Sequence, residues 1–236
     1  MTFAPDLSPE LSQERLTLPS FRAVIFDMDG LALDTESTYC HAWRSAAADL
    51  GFELSEEFCR GLFGHHADDV ERALRAALGD AFDRGLFHQS AERHWRSYLD
   101  DHGIGPMAGL KELLIILQHR AISYALATNS DGPYARECLH RSGIEESFPI
   151  VVTRNQVERG KPAPDLFLEA AKRLNVPPGL CVVLEDSGTG LEAARAAGTI
   201  PVLIQRREEM RNRLAELAVL SFPALQDFAD LLETVR

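Results

Sequence analysis

Asp27 and Asp29 stand two residues apart, directly after the short apolar run from Arg22 to Phe26, and Gly30 follows them. An ionised carboxylate can take a phosphoryl group and hold it as an aspartyl phosphate. A second carboxylate, two residues further on in a tight turn, can protonate the leaving-group oxygen and then deprotonate the water that frees the enzyme. The spacing therefore gives Asp27 the part of nucleophile and Asp29 that of acid and base, while Gly30 lets the backbone bend so that both face one ligand.

Further groups able to do chemistry stand at Thr128, Asn129 and Ser130, at Lys161 just before Pro162, and at Glu185 and Asp186. Carboxylates gathered in one place repel one another unless protons or a cation neutralise them. Oxygen donors with no Cys or His among them favour Mg2+ over zinc, so Mg2+ is the expected cofactor. With that charge present a phosphate is attracted as well. Lys161 adds a second positive charge, and Thr128, Asn129 and Ser130 offer neutral donors.

These residues need elements that bring them to one rim. "GLKELLIILQHR" predicts a helix and "ISYALATNS" a strand; a helix over 132–142, the strand "PIVVT" and a helix over 164–174 follow, then the strand "LCVVLEDS", the helix "GLEAARAAG" and the strand "IPVLI". That alternation predicts an α/β fold, a Rossmann-like parallel sheet with helices on both faces. Ligands bind beyond the carboxyl ends of such strands, which is where the groups named above fall, with Lys161 one loop further on. The strand at Arg22 to Phe26 needs this sheet for partners.

Between the two lies a different texture. Trp43, Ala46, Ala47 and Leu50, then Val70, Leu74, Ala77 and Leu78, recur at helical spacing with no strand among them, and Gly51, Gly64, Gly79 and Gly103 mark helix ends or turns. Residues 37–105 are therefore expected to form an inserted all-helical cap domain, residues 21–36 and 106–236 the α/β core, and residues 1–20 a polar N-terminal extension. The two crossings, near 34–37 and 102–108, are the expected hinge positions.

Four stretches, "FDMDGLALDTE", "ATNS", "KPAPD" and "EDSGTGLEAARAAG", occur in this order across the chain. Together they resemble the haloacid dehalogenase superfamily, in its branch of phosphatases and β-phosphoglucomutases with a helical cap after the first motif. The resemblance implies Asp27 as nucleophile, Asp29 as acid/base, and Thr128 and Lys161 as phosphate ligands. It also implies Mg2+ held by Asp27, the backbone carbonyl of Asp29 and Asp186, with Glu185 supporting. Dehalogenase chemistry is disfavoured, since those members lack an acid/base aspartate at the position of Asp29. The turn "GHHADD" is where related enzymes reach into the site, which makes His65 and His66, with Ser130, the expected substrate contacts. Mutases of this branch carry basic residues around that turn and this chain has none there, so hydrolysis is favoured over isomerisation. The expected activity is phosphatase action on a small phosphorylated metabolite; a phosphomutase and a non-catalytic binding module are the alternatives.

Composition narrows the partners. The 236 residues are 45% hydrophobic and 25% charged, with 24 basic against 36 acidic residues and a net charge of −12. That balance disfavours nucleic acid and anionic membranes as partners. Arg206-Arg207 is followed at once by Glu208-Glu209 and reads as a solvated helix start. Cys40, Cys59, Cys138 and Cys181 form no metal spacing and read as reduced, mostly buried thiols. The first 20 residues have neither a cationic start nor an apolar stretch, and no run of about 18 apolar residues occurs, so a cytoplasmic monomer or weak dimer is expected. Trp43 is expected in the core, and Asp68, Asp69, His140 and Arg141 on the solvated surface.

Overall fold

Strand β1 (Ala23–Phe26) has β2 (Ser123–Ala127) on one side and β4 (Cys181–Glu185) on the other, with Phe26 level with Leu126 and Leu184. The computed structural model describes residues 18–63, 67–79 and 82–234. With β3 (Val151–Val152), β5 (Ile200–Ile204) and β6 (Leu220–Phe222), the strands form one six-stranded parallel sheet in the order β3-β2-β1-β4-β5-β6. Successive side chains of a strand point to opposite faces. Val24 and Phe26 accordingly join one apolar cluster and Ala23 and Ile25 the other, which is why the central run is apolar throughout.

Helices α5 (Leu110–His119), α6 (Gly132–Arg141) and α10 (Leu225–Thr234) cover the first face, through Leu113, Leu117, Leu139 and Phe228. Helices α7 (Asp165–Leu174) and α8 (Gly188–Ala196) cover the second, through Leu166, Phe167, Ala170 and Ala194. Helix α9 (Glu208–Leu214) follows β5, with Arg206 and Arg207 exposed before it as expected.

Four helices and no strand occupy the described residues from 35 to 102: α1 (Thr35–Asp49), α2 (Glu56–Gly61), α3 (Ala67–Leu78) and α4 (Arg84–His102). They are an inserted helical cap with a cluster of its own, built from Cys59, Leu74, Leu78 and Phe87 among others. Ala42, Trp95 and Leu99 instead join the cluster of the sheet's first face and anchor the insertion to it. The two crossings are laced together: Asp34 N donates to Gly105 O and Met107 N to Ala32 O, each at 2.9 Å. Arg207 Nη1 adds a bond to Gly61 O at 3.3 Å.

Several expectations need correction. The strand read at "PIVVT" is two residues long, because Thr153 turns its hydroxyl to cap a 3-10 turn over 154–156 and leaves the sheet. Strand β6 and helix α10 have no counterpart in the sequence reading. Ala77 is exposed, outside the buried stripe of α3. Trp43 is half-buried and stacks on Tyr39, with centroids 5.9 Å apart. Arg141 is half-buried and bonded to Asp100 at 2.7 Å and Glu137 at 3.1 Å, whereas His140 is exposed. Asp69 pairs with Arg72 on the surface of α3. His65, His66, the side chain of Asp68 and most of the expected N-terminal extension lie outside the described residues. No helix among the described residues is long and apolar enough to cross a membrane.

Candidate active site

Asp27 leaves β1 still bonded to the sheet, its N donating to Leu184 O at 3.0 Å. It shares a buried centre with Lys161, Glu185 and Asp186, which are 7%, 7%, 0% and 8% exposed in that order. Lys161 Nζ donates to Asp27 Oδ1 and, at 2.6 Å, to Glu185 Oε1. The other oxygen of Glu185 accepts from Asp186 N at 3.1 Å, Ser187 N at 3.2 Å and Ser187 Oγ at 3.0 Å. Glu185 is thus held on both sides and in turn fixes the ammonium. Room for it exists because Gly190 lies over the carboxylate, where a Cβ would overlap it. Gly30 bends the chain at φ +78, and a Cβ there would lie 2.6 Å from Asp186 Oδ2, so the turn after Asp29 needs glycine on both counts.

The Asp29 carboxylate faces another way. Its Oδ2 accepts from Thr128 Oγ1 at 3.3 Å and Ser130 Oγ at 2.8 Å, and its Oδ1 from the Tyr134 hydroxyl at 3.1 Å. Asn129, expected at phosphate, spends its side chain on the Lys161 backbone, accepting from Lys161 N at 2.8 Å and donating to Lys161 O at 3.3 Å.

Three carboxylates around one ammonium leave the centre short of positive charge. Burial pushes the Asp27 carboxyl up to about 7; Lys161 pulls the other way, but Glu185 and Asp29 add to the rise. Burial, Glu36, Glu185 and Asp27 push Asp186 well above the usual carboxylate range. For Lys161, burial opposes the charge, and Asp27 and Glu185 outweigh it, so the ammonium is held firmly. Asp27, Glu185 and Asp186 each offer an oxygen within 4.8 Å of the others. An all-oxygen set with surplus negative charge fits a hard divalent cation. The side chain of Asp29 stands outside that set.

All the expected core residues therefore meet: Asp27, Asp29, Thr128, Asn129, Ser130, Lys161, Glu185 and Asp186. Sequence reasoning missed Tyr134, Glu36 and Ser187. Glu36, in the first turn of α1, carried a signal in its closeness to the first aspartates, and Ser187 in its place beside Glu185. Tyr134 carried none, because an aromatic residue early in a helix usually means packing.

The sheet order, the helical insertion after the first strand and the acidic rim define a Rossmann-like α/β protein with a cap. The pattern of the haloacid dehalogenase-like hydrolases matches residues 24–204, and the chain belongs to that family. It is 36% identical over 180 residues to the phosphorylated carbohydrates phosphatase of Thermotoga maritima, spanning 75% of this chain and 81% of that protein. It is 28% identical over 197 residues to the beta-phosphoglucomutase of Bacillus subtilis, spanning 80% of this chain and 85% of that one. A crystal structure of a haloacid dehalogenase family hydrolase from Deinococcus radiodurans, with bound phosphate and sodium, superposes with a TM-score of 0.75 at 27% identity, covering 89% of this chain and 97% of the other.

Proposed function

We propose that this protein is a Mg2+-dependent phosphatase that hydrolyses a small phosphomonoester, a sugar phosphate or related metabolite, through an aspartyl phosphate on Asp27. The observation that carries this reading is the buried Asp27 carboxylate bonded to Lys161, whose ammonium is fixed in turn by Glu185. A carboxylate kept out of water beside a fixed cation is prepared to attack a phosphoryl group that the same cation attracts. The likeness to the Thermotoga phosphatase supports the substrate class.

In the first half-reaction an Asp27 oxygen bonds to phosphorus, the bond from phosphorus to the ester oxygen breaks, and Asp29 gives that oxygen its proton. In the second, Asp29 takes a proton from water, the water oxygen bonds to phosphorus, and the bond to Asp27 breaks to release phosphate. Lys161 and the Thr128 hydroxyl bind the phosphoryl oxygens, and the amide of Asn129 holds the Lys161 backbone in place. Asp27, Asp186 and the Asp29 carbonyl, with Glu185 supporting, would hold Mg2+, which would offset the negative charge of the phosphoryl oxygens. The cap, residues 37–105, closes over the core of residues 21–36 and 106–236, excludes bulk water and selects the alcohol half of the substrate.

The test is phosphate release from a panel of sugar phosphates, nucleotides and other small phosphoesters, with Mg2+ and with EDTA, for the parent and Asp27→Asn. Mg2+-dependent release that the variant loses is expected. Full turnover by Asp27→Asn overturns the reading, and an isomerised sugar phosphate in place of free phosphate would establish a mutase.

A further inference from the structure

Asp29 is also bonded to a residue that plays no part in the chemistry above. Tyr134 stands in the first turn of α6, where Asp131 Oδ1 accepts from its backbone N at 2.9 Å. Its ring stacks on Trp95 of α4, with centroids 5.5 Å apart and planes 25° apart, and on Tyr39 of α1, at 6.4 Å and 26°. Tyr39 and Trp95 also stack on each other at 5.8 Å and 12°, and Trp95 Nε1 donates to Thr38 Oγ1 at 3.0 Å. Ion pairs from Arg141 to Asp100 at 2.7 Å and from Arg96 to Glu137 at 3.5 Å join α6 to α4 beside the stack. A phenol packed in a mutual cluster with two other rings has little freedom, so the place of its hydroxyl is set by packing.

The three bonds to Asp29 are not equivalent. Thr128 and Ser130 both reach Oδ2, whereas Tyr134 bonds Oδ1 and so fixes the rotation of the carboxylate about its last bond. Thr128 is also proposed to bind phosphate, and its hydroxyl has to turn to the substrate when it does. Tyr134 has no such second duty.

We infer that Tyr134 is a positioning residue for Asp29: its hydroxyl sets the orientation of the acid/base carboxylate, and the aromatic stack ties that orientation to where α1 and α4 of the cap stand on the core. The inference rests on Asp29 being the acid/base of the proposed phosphatase.

Tyr134→Phe removes the hydroxyl and keeps the ring in its stack. Steady-state phosphate release from the best substrate of the panel is compared for the parent, Tyr134→Phe, Asp29→Asn and the double variant, each checked for an unchanged melting temperature. A hydrogen bond that orients a reacting side chain is expected to be worth about tenfold in kcat, with KM within about twofold. In the Asp29→Asn background the same change is expected to cost nothing further, since the group it orients is gone. An unchanged kcat for Tyr134→Phe, or an equal loss in both backgrounds, overturns the positioning role; a deep loss in Asp29→Asn then leaves the phosphatase reading standing. Full kcat in Asp29→Asn overturns the acid/base assignment and the role of Tyr134 with it.

Discussion

The side-chain amide of Asn129 spans the backbone of Lys161, with Oδ1 on its N–H at 2.8 Å and Nδ2 on its carbonyl at 3.3 Å. The loop after β2 thereby fixes the loop that carries the ammonium, and each is placed only as well as the other. Asn129→Ala removes both bonds and frees Lys161 to shift. The expected result is a loss of about ten- to a hundredfold in kcat/KM, with about 1–3 kcal/mol of stability lost in a denaturant titration.

Glycine at 190 makes room for Glu185, since an added Cβ would overlap its carboxylate. Gly190→Ala is expected to displace Glu185 and cost more than about 2 kcal/mol, with loss of turnover. Gly61, at the end of α2, has nothing within 4 Å of an added Cβ. Gly61→Ala is therefore expected to be neutral or to stabilise by up to about 1 kcal/mol. Chemical denaturation of the two variants side by side checks the contrast.

Burial pushes the Asp27 carboxyl up to about 7, against 3.8 for an ordinary aspartate. Its raised value means that folding is favoured by the proton: this contribution is full below pH 3.8 and is lost as pH rises through about 7. A divalent cation bound there has to displace that proton. Apparent Mg2+ affinity is expected to rise about tenfold per pH unit and per proton displaced on the acid side of neutrality. Calorimetric titration in buffers of different ionisation heat counts the protons released, and a pH-independent affinity with none released refutes the coupling.

All four cysteines are buried and free, and burial pushes Cys59 and Cys138 up to about 12 and Cys181 up to about 11. A thiol far above neutral pH presents almost no thiolate. An aromatic disulfide reagent at neutral pH is expected to leave the native protein unmodified and to count all four thiols after denaturant is added. Rapid modification of the native protein would contradict the burial.

Strand ends were legible because apolar runs that stop at polar residues leave few alternatives, so Asp27, Thr128 and Glu185 fall where the alternation of strand and helix puts them. Lys161 was legible as a charge but not as a buried one; its burial depends on Asp27 and Glu185 arriving from the ends of two strands. Strand β3 reads longer than it is because the pattern of "PIVVT" does not show that Thr153 leaves to cap a turn. The reach of Tyr134 to Asp29 is invisible to periodicity, which says which face of a helix is apolar and nothing of what a phenol's far end touches. The same holds for Arg141, whose partner Asp100 lies in another element.

The place of β1 at the middle of the sheet has a consequence for biosynthesis. As the chain leaves the ribosome, residues 23–26 find their first edge only when residues 123–126 have emerged, and their second only with residues 181–184. Until then an apolar segment that leads into Asp27 stays unpaired and open to wrong partners. The helices made in between have a cluster of their own to occupy them. A nascent chain halted before β4 carries Asp27 yet lacks Glu185 and Asp186, so the acidic centre is among the last parts of the molecule to be assembled.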